Sequence, residues 1–191
     1  GTRLDMLEEA AQIIRRMLTE ERTTFSGIHY QVDDASCLPR PVQDRLPIWI
    51  GGVGEKRTLK IVADHADGWN AAYLSPEEFA RVNEVLNHWC EEENRDPKSL
   101  KRAANVLFNL GADELELARQ RENLARDWGA MAERTAQGAL LCTPDQAVDR
   151  IMEYVAAGAD EVNIALRAPW NDEALDAYLT DVMPKVRKAT A

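Results

Sequence analysis

The strongest chemical signal in the chain is Ile50-Gly51-Gly52-Val53-Gly54-Glu55-Lys56-Arg57-Thr58, where an apolar strand hands over to a helix. Glycines let a backbone approach an anion closely, and a helix start offers unpaired N–H groups with a partial positive charge. Lys56 and Arg57 can add charge-assisted hydrogen bonds. Gly51, Gly52, Gly54, Glu55, Lys56 and Arg57 are therefore the candidate residues for gripping a phosphate, with Glu55 alternatively orienting Lys56 or the backbone. The competing reading is a tight turn with solvated basic residues. Gly52-Val53-Gly54 begins a dinucleotide fingerprint, but Arg57 stands where the third glycine belongs and Asp67 precedes the next strand instead of ending it. No Gly-Lys-Ser/Thr occurs, which excludes a Walker loop.

Other reactive side chains are dispersed. Cys37, Cys90 and Cys142 form no CxxC, so neither a disulfide framework nor a zinc knuckle is expected, and a reducing cytoplasm suits them. His29, His65 and His88 form no metal-binding spacing, and no metal is expected. A GxSxG elbow is missing. Trp49, Trp69 and Trp89 read as core or pocket-wall residues, Cys90 as a small core residue, and Asp67-Gly68 as structural. No catalytic residue is identified.

The elements that must position the glycine loop follow from periodicity. Leu4, Leu7, Ala11, Ile14 and Leu18 give a first helix its apolar stripe. Thr24-Phe25 and Ile28 to Val32 read as a hairpin turning at Ser26-Gly27. A loop punctuated by Pro39, Pro41 and Pro47 leads to Ile48-Trp49-Ile50, a strand expected to be covered on both faces. Further strands are expected at Trp69 to Tyr73, Val106 to Leu110 and Val162 to Leu166. Helices alternate with them. Ser75-Pro76-Glu77-Glu78 and Thr143-Pro144-Asp145-Gln146 carry capping-box starts, and Gly158 reads as a left-handed stop. A long polar helix is expected over Glu114 to Arg134, and a last helix buries Leu175, Tyr178, Leu179 and Val182 until Pro184 perturbs it. Strands alternating with helices imply crossovers and a parallel sheet.

The chain has 191 residues, of which 45% are hydrophobic, enough for a sizeable core. Its 33 acidic and 23 basic residues give a net charge of −10, a poor match for nucleic acid or an anionic membrane surface. No apolar run approaches the roughly 20 residues of a membrane helix. Gly1-Thr2-Arg3-Leu4-Asp5 is neither a signal peptide nor an initiator methionine, so the chain is expected to begin inside a longer parent.

Taken together, Pro39-Arg40-Pro41-Val42, Leu46-Pro47-Ile48-Trp49-Ile50-Gly51-Gly52, Gly54-Glu55-Lys56-Arg57-Thr58-Leu59 and Ala66-Asp67-Gly68-Trp69-Asn70 resemble the bacterial luciferase-like monooxygenase family. The resemblance is strongest to its branch of deazaflavin (coenzyme F420)-dependent oxidoreductases. It implies an α/β fold: the C-terminal half of a TIM (β/α)8 barrel, with four parallel strands, flanking helices and a short hairpin insertion. Residues 1–191 would form a single partial-barrel domain. Residues 1–46 would supply the helix, hairpin and proline-rich loop, and 47–191 strands five to eight with their helices.

Residue by residue, the resemblance places Gly51, Gly52, Gly54, Lys56 and Arg57 in the loop after strand five, near the cofactor phosphate. It places Asn70 to Ala72 at the end of strand six, where Ala71 and Ala72 supply neither a hydroxyl nor a base. Arg167 and Trp170 follow strand eight, where Arg167 meets either a cofactor anion or solvent. The implied parent is an enzyme that transfers a hydride between coenzyme F420 and a small organic substrate. The alternatives are a reduced-FMN-dependent monooxygenase of the same fold, or a non-catalytic half-barrel that self-assembles. A cytoplasmic homo-oligomer is expected, because an open parallel sheet leaves bare edges.

Overall fold

Asp67 organises much of the N-terminal part of the chain. In the computed structural model, which describes residues 1–168 and 170–191, its carboxylate accepts from the Ile48 N–H (2.7 Å), from Arg45 (2.8 Å) and from Arg15. The chain folds into two compact units, Gly1–Trp69 with Glu84–Lys101, and Asn70–Asn83 with Arg102–Ala191.

The first unit opens with helix α1 (Thr2–Thr19), whose start no side chain caps. It buries Ala11 and Ile13, while Ile14, placed on the inward stripe by its spacing, is 47% exposed. Polar side chains set this rotation: Asp5, Glu9 and Arg15 are bonded to Arg57, to the hairpin turn and to Asp67. Strands β1 (Thr23–Ser26) and β2 (Gln31–Ala35) form the expected antiparallel hairpin, but its turn lies at Gly27–Tyr30. The Glu9 carboxylate explains the shift. It accepts from the N–H groups of Ile28 (2.8 Å), His29 (3.0 Å) and Tyr30 (2.9 Å), which are then unavailable to a ladder.

Strand β3 (Trp49–Gly51) buries Ile50 only. Trp49 is 39% exposed, so the strand is not covered on both faces as expected. The Trp49 ring lies across Gly68, where a Cβ would come within 2.4 Å of it. Helix α2 (Thr58–His65) buries Leu59, Ile61, Val62 and Ala63. Strand β4 (Gly68–Ala72), the neighbour of β3, starts in this unit, and helix α3 (Pro76–Glu92) ends in it. Trp69, Leu86 and Cys90 complete its core.

In the second unit, Ser75 caps α3 by accepting from the Glu78 N–H (3.2 Å), while the Glu78 carboxylate bonds to Arg134 (3.2 Å). Strand β5 (Lys101–Phe108) begins well before the expected Val106. The early start depends on Arg102, which is buried: its Nε donates to Asn83 (2.8 Å) and its N–H to the Asp160 carboxylate (2.9 Å). Helix α4 (Glu114–Trp128) does not continue to Arg134. It stops at Gly129, which has a positive φ, and a 3-10 turn leads to the short helix α5 (Ala132–Gln137). A two-residue strand, β6 (Ala139–Leu140), follows and pairs in parallel with Leu107 and Phe108 of β5. It supplements the four expected strands.

Helix α6 (Pro144–Ala156) starts with the expected capping box. Its buried face is Ala147, Ile151 and Tyr154, whose hydroxyl donates to the Leu74 carbonyl (2.7 Å). Gly158, at φ 95°, stops the helix. Strand β7 (Glu161–Ala165) then pairs in parallel with β5 from Ala103↔Glu161 to Leu107↔Ala165. Asn171 caps helix α7 (Asp172–Ala177). A π turn over Tyr178–Val182 precedes helix α8 (Met183–Ala189) and absorbs Pro184, which lacks the N–H of a regular turn. That turn buries Tyr178 and Val182 and leaves Leu179 exposed, contrary to its place on the expected stripe. Among the described residues no helix is long and apolar enough to cross a membrane.

Asp67→Ala is expected to lower stability by about 2 kcal/mol in urea denaturation, because a half-buried guanidinium and an N–H lose their acceptor. Burial pushes the Asp67 carboxyl up, but the Ile48 N–H and the two guanidiniums more than reverse this and hold it below the usual range. Its contribution is therefore fully present above the unfolded carboxyl value of roughly 4 and is lost as pH falls through the lower folded value. The variant's deficit should shrink correspondingly in acid, which urea titrations at neutral and low pH would measure.

Candidate functional site

The glycine loop leaves β3 at Gly51 and enters α2 at Thr58. Two indoles pin it. Trp69 Nε1–H donates to the Gly52 carbonyl (2.7 Å), and Trp89 Nε1–H donates to the Glu55 carbonyl (2.7 Å). In a trans peptide the C=O and the following N–H point opposite ways. Carbonyls drawn toward the indoles therefore turn the Val53 and Lys56 N–H groups away from them. The glycines make this path possible. Gly52 has φ 124°, and a Cβ on Gly54 would stand 2.6 Å from Thr58 Oγ1.

No side chain caps α2, although the Leu59 N–H of its first turn is taken by the Gly54 carbonyl (3.1 Å). Gly51, Gly54 and Lys56 are exposed, and Glu55 is half-buried. Arg57 donates to Asp5 (2.5 Å) and lies 3.8 Å from Glu8, which ties the loop to α1 and holds the Asp5 carboxyl below its usual range. The structure thus presents Gly51, Gly52, Gly54, Glu55, Lys56 and Arg57 as one connected feature, a preset turn with an open backbone and an exposed ammonium. Such a feature can hold an anion.

Nearby in the same unit, Glu8, Asp64 and His65 bring possible ligand atoms within 4.8 Å of one another. Burial, then Glu93, raises the Asp64 carboxyl, and Glu93 itself is bonded to Lys60 (2.6 Å). We read this group as a surface charge cluster.

The second unit carries its own concavity. The C-terminal end of β5, the second half of α4 and the segment after β7 enclose a cavity of about 170 Å³, whose lining includes Asn109, Gln120, Trp128, Arg167 and Trp170. The Arg167 guanidinium lies over the Trp128 ring, 4.7 Å from its centroid. Tyr73 meets Trp128 edge-on at 5.4 Å, and its hydroxyl accepts from Arg167 at 3.5 Å. Tyr73 sits at φ 59°, a left-handed backbone that is uncommon outside glycine. Gly138 packs on it so closely that a Cβ there would be 2.3 Å from the Tyr73 carbonyl carbon.

Sequence reasoning placed Arg167 and Trp170 here but missed Tyr73, Gln120 and Trp128 as a group. It also missed Trp69 and Trp89 as loop anchors. A strand-end tyrosine and isolated tryptophans carry no spacing signal. Cys142 is an unsuitable nucleophile: burial pushes its thiol up to about 11, so it stays protonated at neutral pH.

Comparison with known proteins matches residues 1–161 to the luciferase-like monooxygenase family. The F420-dependent glucose-6-phosphate dehydrogenase of Intrasporangium calvum is 24% identical over 215 residues, covering 97% of this chain and 62% of that protein. A pyrimidine monooxygenase of Stutzerimonas stutzeri is 28% identical over 169 residues, covering 86% of this chain and 44% of its own length. Among solved structures, an F420-dependent secondary alcohol dehydrogenase in complex with an F420-acetone adduct superposes with a TM-score of 0.83 at 17% identity, over 97% of this chain and 62% of that one. The fold is therefore the expected α/β type, a parallel sheet with flanking helices that matches part of a luciferase-like TIM barrel. The chain spans 62% of the length of the dehydrogenase relative it matches.

Trp69→Phe keeps the apolar ring but orphans the Gly52 carbonyl. It is expected to cost about 1–2 kcal/mol in urea denaturation, and to accelerate amide exchange at residues 52–58 more than in the rest of the first unit.

Proposed function

The chain belongs to the luciferase-like monooxygenase family, and we propose that it is part of an oxidoreductase that transfers a hydride between coenzyme F420 and a small organic substrate. The observation that carries this reading is the indole-pinned glycine loop, with its outward N–H groups, its uncapped α2 and the exposed Lys56. A phosphate-bearing cofactor fits that donor set. Relatives named as F420-dependent dehydrogenases, at 24% and 26% identity, support the deazaflavin.

In this reading the loop binds and does not react. Gly51, Gly52 and Gly54 keep side chains out of the way of the anion. The Val53 and Lys56 N–H groups and the α2 start donate to it. The Lys56 ammonium adds charge, while Arg57 anchors the loop to Asp5 and keeps its remaining N–H groups for the same anion. Glu55 contributes its carbonyl to the Trp89 indole and so orients the Lys56 N–H. When bound, the deazaflavin ring supplies hydride transfer. The chain's own contribution is to orient that group and exclude water from it.

FMN in a monooxygenase is the second reading, favoured by the pyrimidine monooxygenase relative. The same account puts the protein in the cytoplasm, as a homo-oligomer acting on a small molecule. Cys37, Cys90 and Cys142, which form no disulfide, agree with a reducing compartment.

The test is a fluorescence titration of the full chain with coenzyme F420 and with FMN. Saturable F420 binding is expected, weakened about tenfold by Lys56→Ala, which removes one charge-assisted contact. FMN binding with no F420 binding would move the assignment to the monooxygenase. F420 affinity unchanged in Lys56→Ala would remove the loop from the cofactor site.

A further inference from the structure

We infer that Arg167, stacked on Trp128, is an oxyanion receptor that takes the carboxylate or phosphate of a small ligand in the cavity of the second unit. The inference rests on the proposed function only for the ligand's source, substrate or cofactor.

The first observation is charge. The chain carries a net −10, and its arginines are mostly spoken for: Arg15, Arg22, Arg45, Arg57 and Arg150 all bond to carboxylates. Arg167 has no carboxylate partner among the described residues. The acid lining the same cavity, Asp127, is bonded to Arg126 at 3.0 Å. The cavity therefore keeps one uncompensated cation on an acidic protein.

The second observation is preorganisation. The Arg167 guanidinium carbon lies over the indole and one terminal nitrogen donates to the Tyr73 hydroxyl, which holds the group in place and leaves its other N–H groups to grip a carboxylate or phosphate. Trp128 is itself held edge-on by Tyr73. Tyr73 is fixed in turn by its N–H bond to the Asn105 carbonyl (2.9 Å) and by the close approach of Gly138. A left-handed non-glycine residue at a strand end is the kind of local strain that collects at ligand sites.

The third observation is the wall. Gln120 and Asn123 present neutral amides to the cavity, and the Asn109 amide nitrogen donates to Gln120 at 3.0 Å. These groups can donate to an oxyanion without repelling it. The cavity lies at the C-terminal ends of β5 and β7, where open α/β sheets and barrels bind ligands. At about 170 Å³ it is smaller than the roughly 300 Å³ of pockets that enclose drug-sized ligands. It suits an anionic head group with a short stem better than a whole cofactor.

The experiment titrates the full chain with inorganic phosphate at constant ionic strength, following tryptophan fluorescence and, in parallel, calorimetric heat. Saturable binding is expected, with the optical signal reduced in Trp128→Phe. Arg167→Ala should weaken phosphate at least about tenfold. Arg167→Lys should recover part of it, since the charge returns without the fork. Lys188→Ala, in the exposed last turn of α8, should leave it unchanged. Native far-ultraviolet dichroism of each variant checks folding.

Absence of saturable binding, or equal affinity in Arg167→Ala, would overturn the proposal. Coenzyme F420 titrated into Arg167→Ala identifies the source. Unchanged affinity assigns the anion to the substrate, and a parallel loss assigns it to the cofactor's phosphate. If phosphate binds through Arg167 while F420 does not bind the wild-type chain, the cavity stands and the F420 reading falls.

Discussion

The Asp67 carboxylate draws donors from three stretches of chain: Arg15 on α1, Arg45 in the proline-rich loop and the Ile48 N–H at the approach to β3. Its backbone also closes the local geometry, because the Asp67 N–H donates to the Ile48 carbonyl (2.8 Å) and its carbonyl accepts from Lys101 (3.0 Å). A carboxylate removed from water needs several donors to remain charged, and here they come from elements that would otherwise have little reason to meet. Within the first unit this interaction fixes where β3 begins. The strand's start fixes where Gly51 ends, and so where the loop turns.

From that point the loop is shaped by hydrogen-bond satisfaction. A buried indole N–H seeks an acceptor. Trp69 and Trp89 find theirs on Gly52 and Glu55, so packing residues also set the orientation of two peptide planes. The second unit works by a related logic. Arg102 can be buried because Asn83 and Asp160 accept its donors, and Tyr154 because Leu74 does. In both units the aromatic and charged groups do more positioning than the aliphatic core, which supplies the bulk of the burial but little direction.

The parts of this arrangement visible in the sequence are the local ones. Ser75 and Thr143 advertise helix starts, and Gly158 a helix stop, because capping is decided within a few residues. The glycine loop is visible for the same reason. What escaped sequence reading depends on partners distant in the chain. The hairpin turn moved to Gly27–Tyr30 because Glu9, far upstream, captures its N–H groups. The early start of β5 relies on Arg102 meeting Asp160, and Ala139–Leu140 is too short a strand to leave a period. The indole anchors and the Tyr73–Trp128–Arg167 stack belong to the same class, since no spacing rule brings those residues together. Family resemblance located the loop and the strand ends, but not the side chains that hold them.

We propose above that the backbone of the glycine loop grips the cofactor's anion. Amide hydrogen exchange of the unmodified chain, with and without saturating coenzyme F420, tests it most directly. Slowed exchange is expected, centred on Val53 to Thr58, the amides that the pinned peptide planes and the α2 start present. Exchange in that segment equally fast with and without F420 would contradict it.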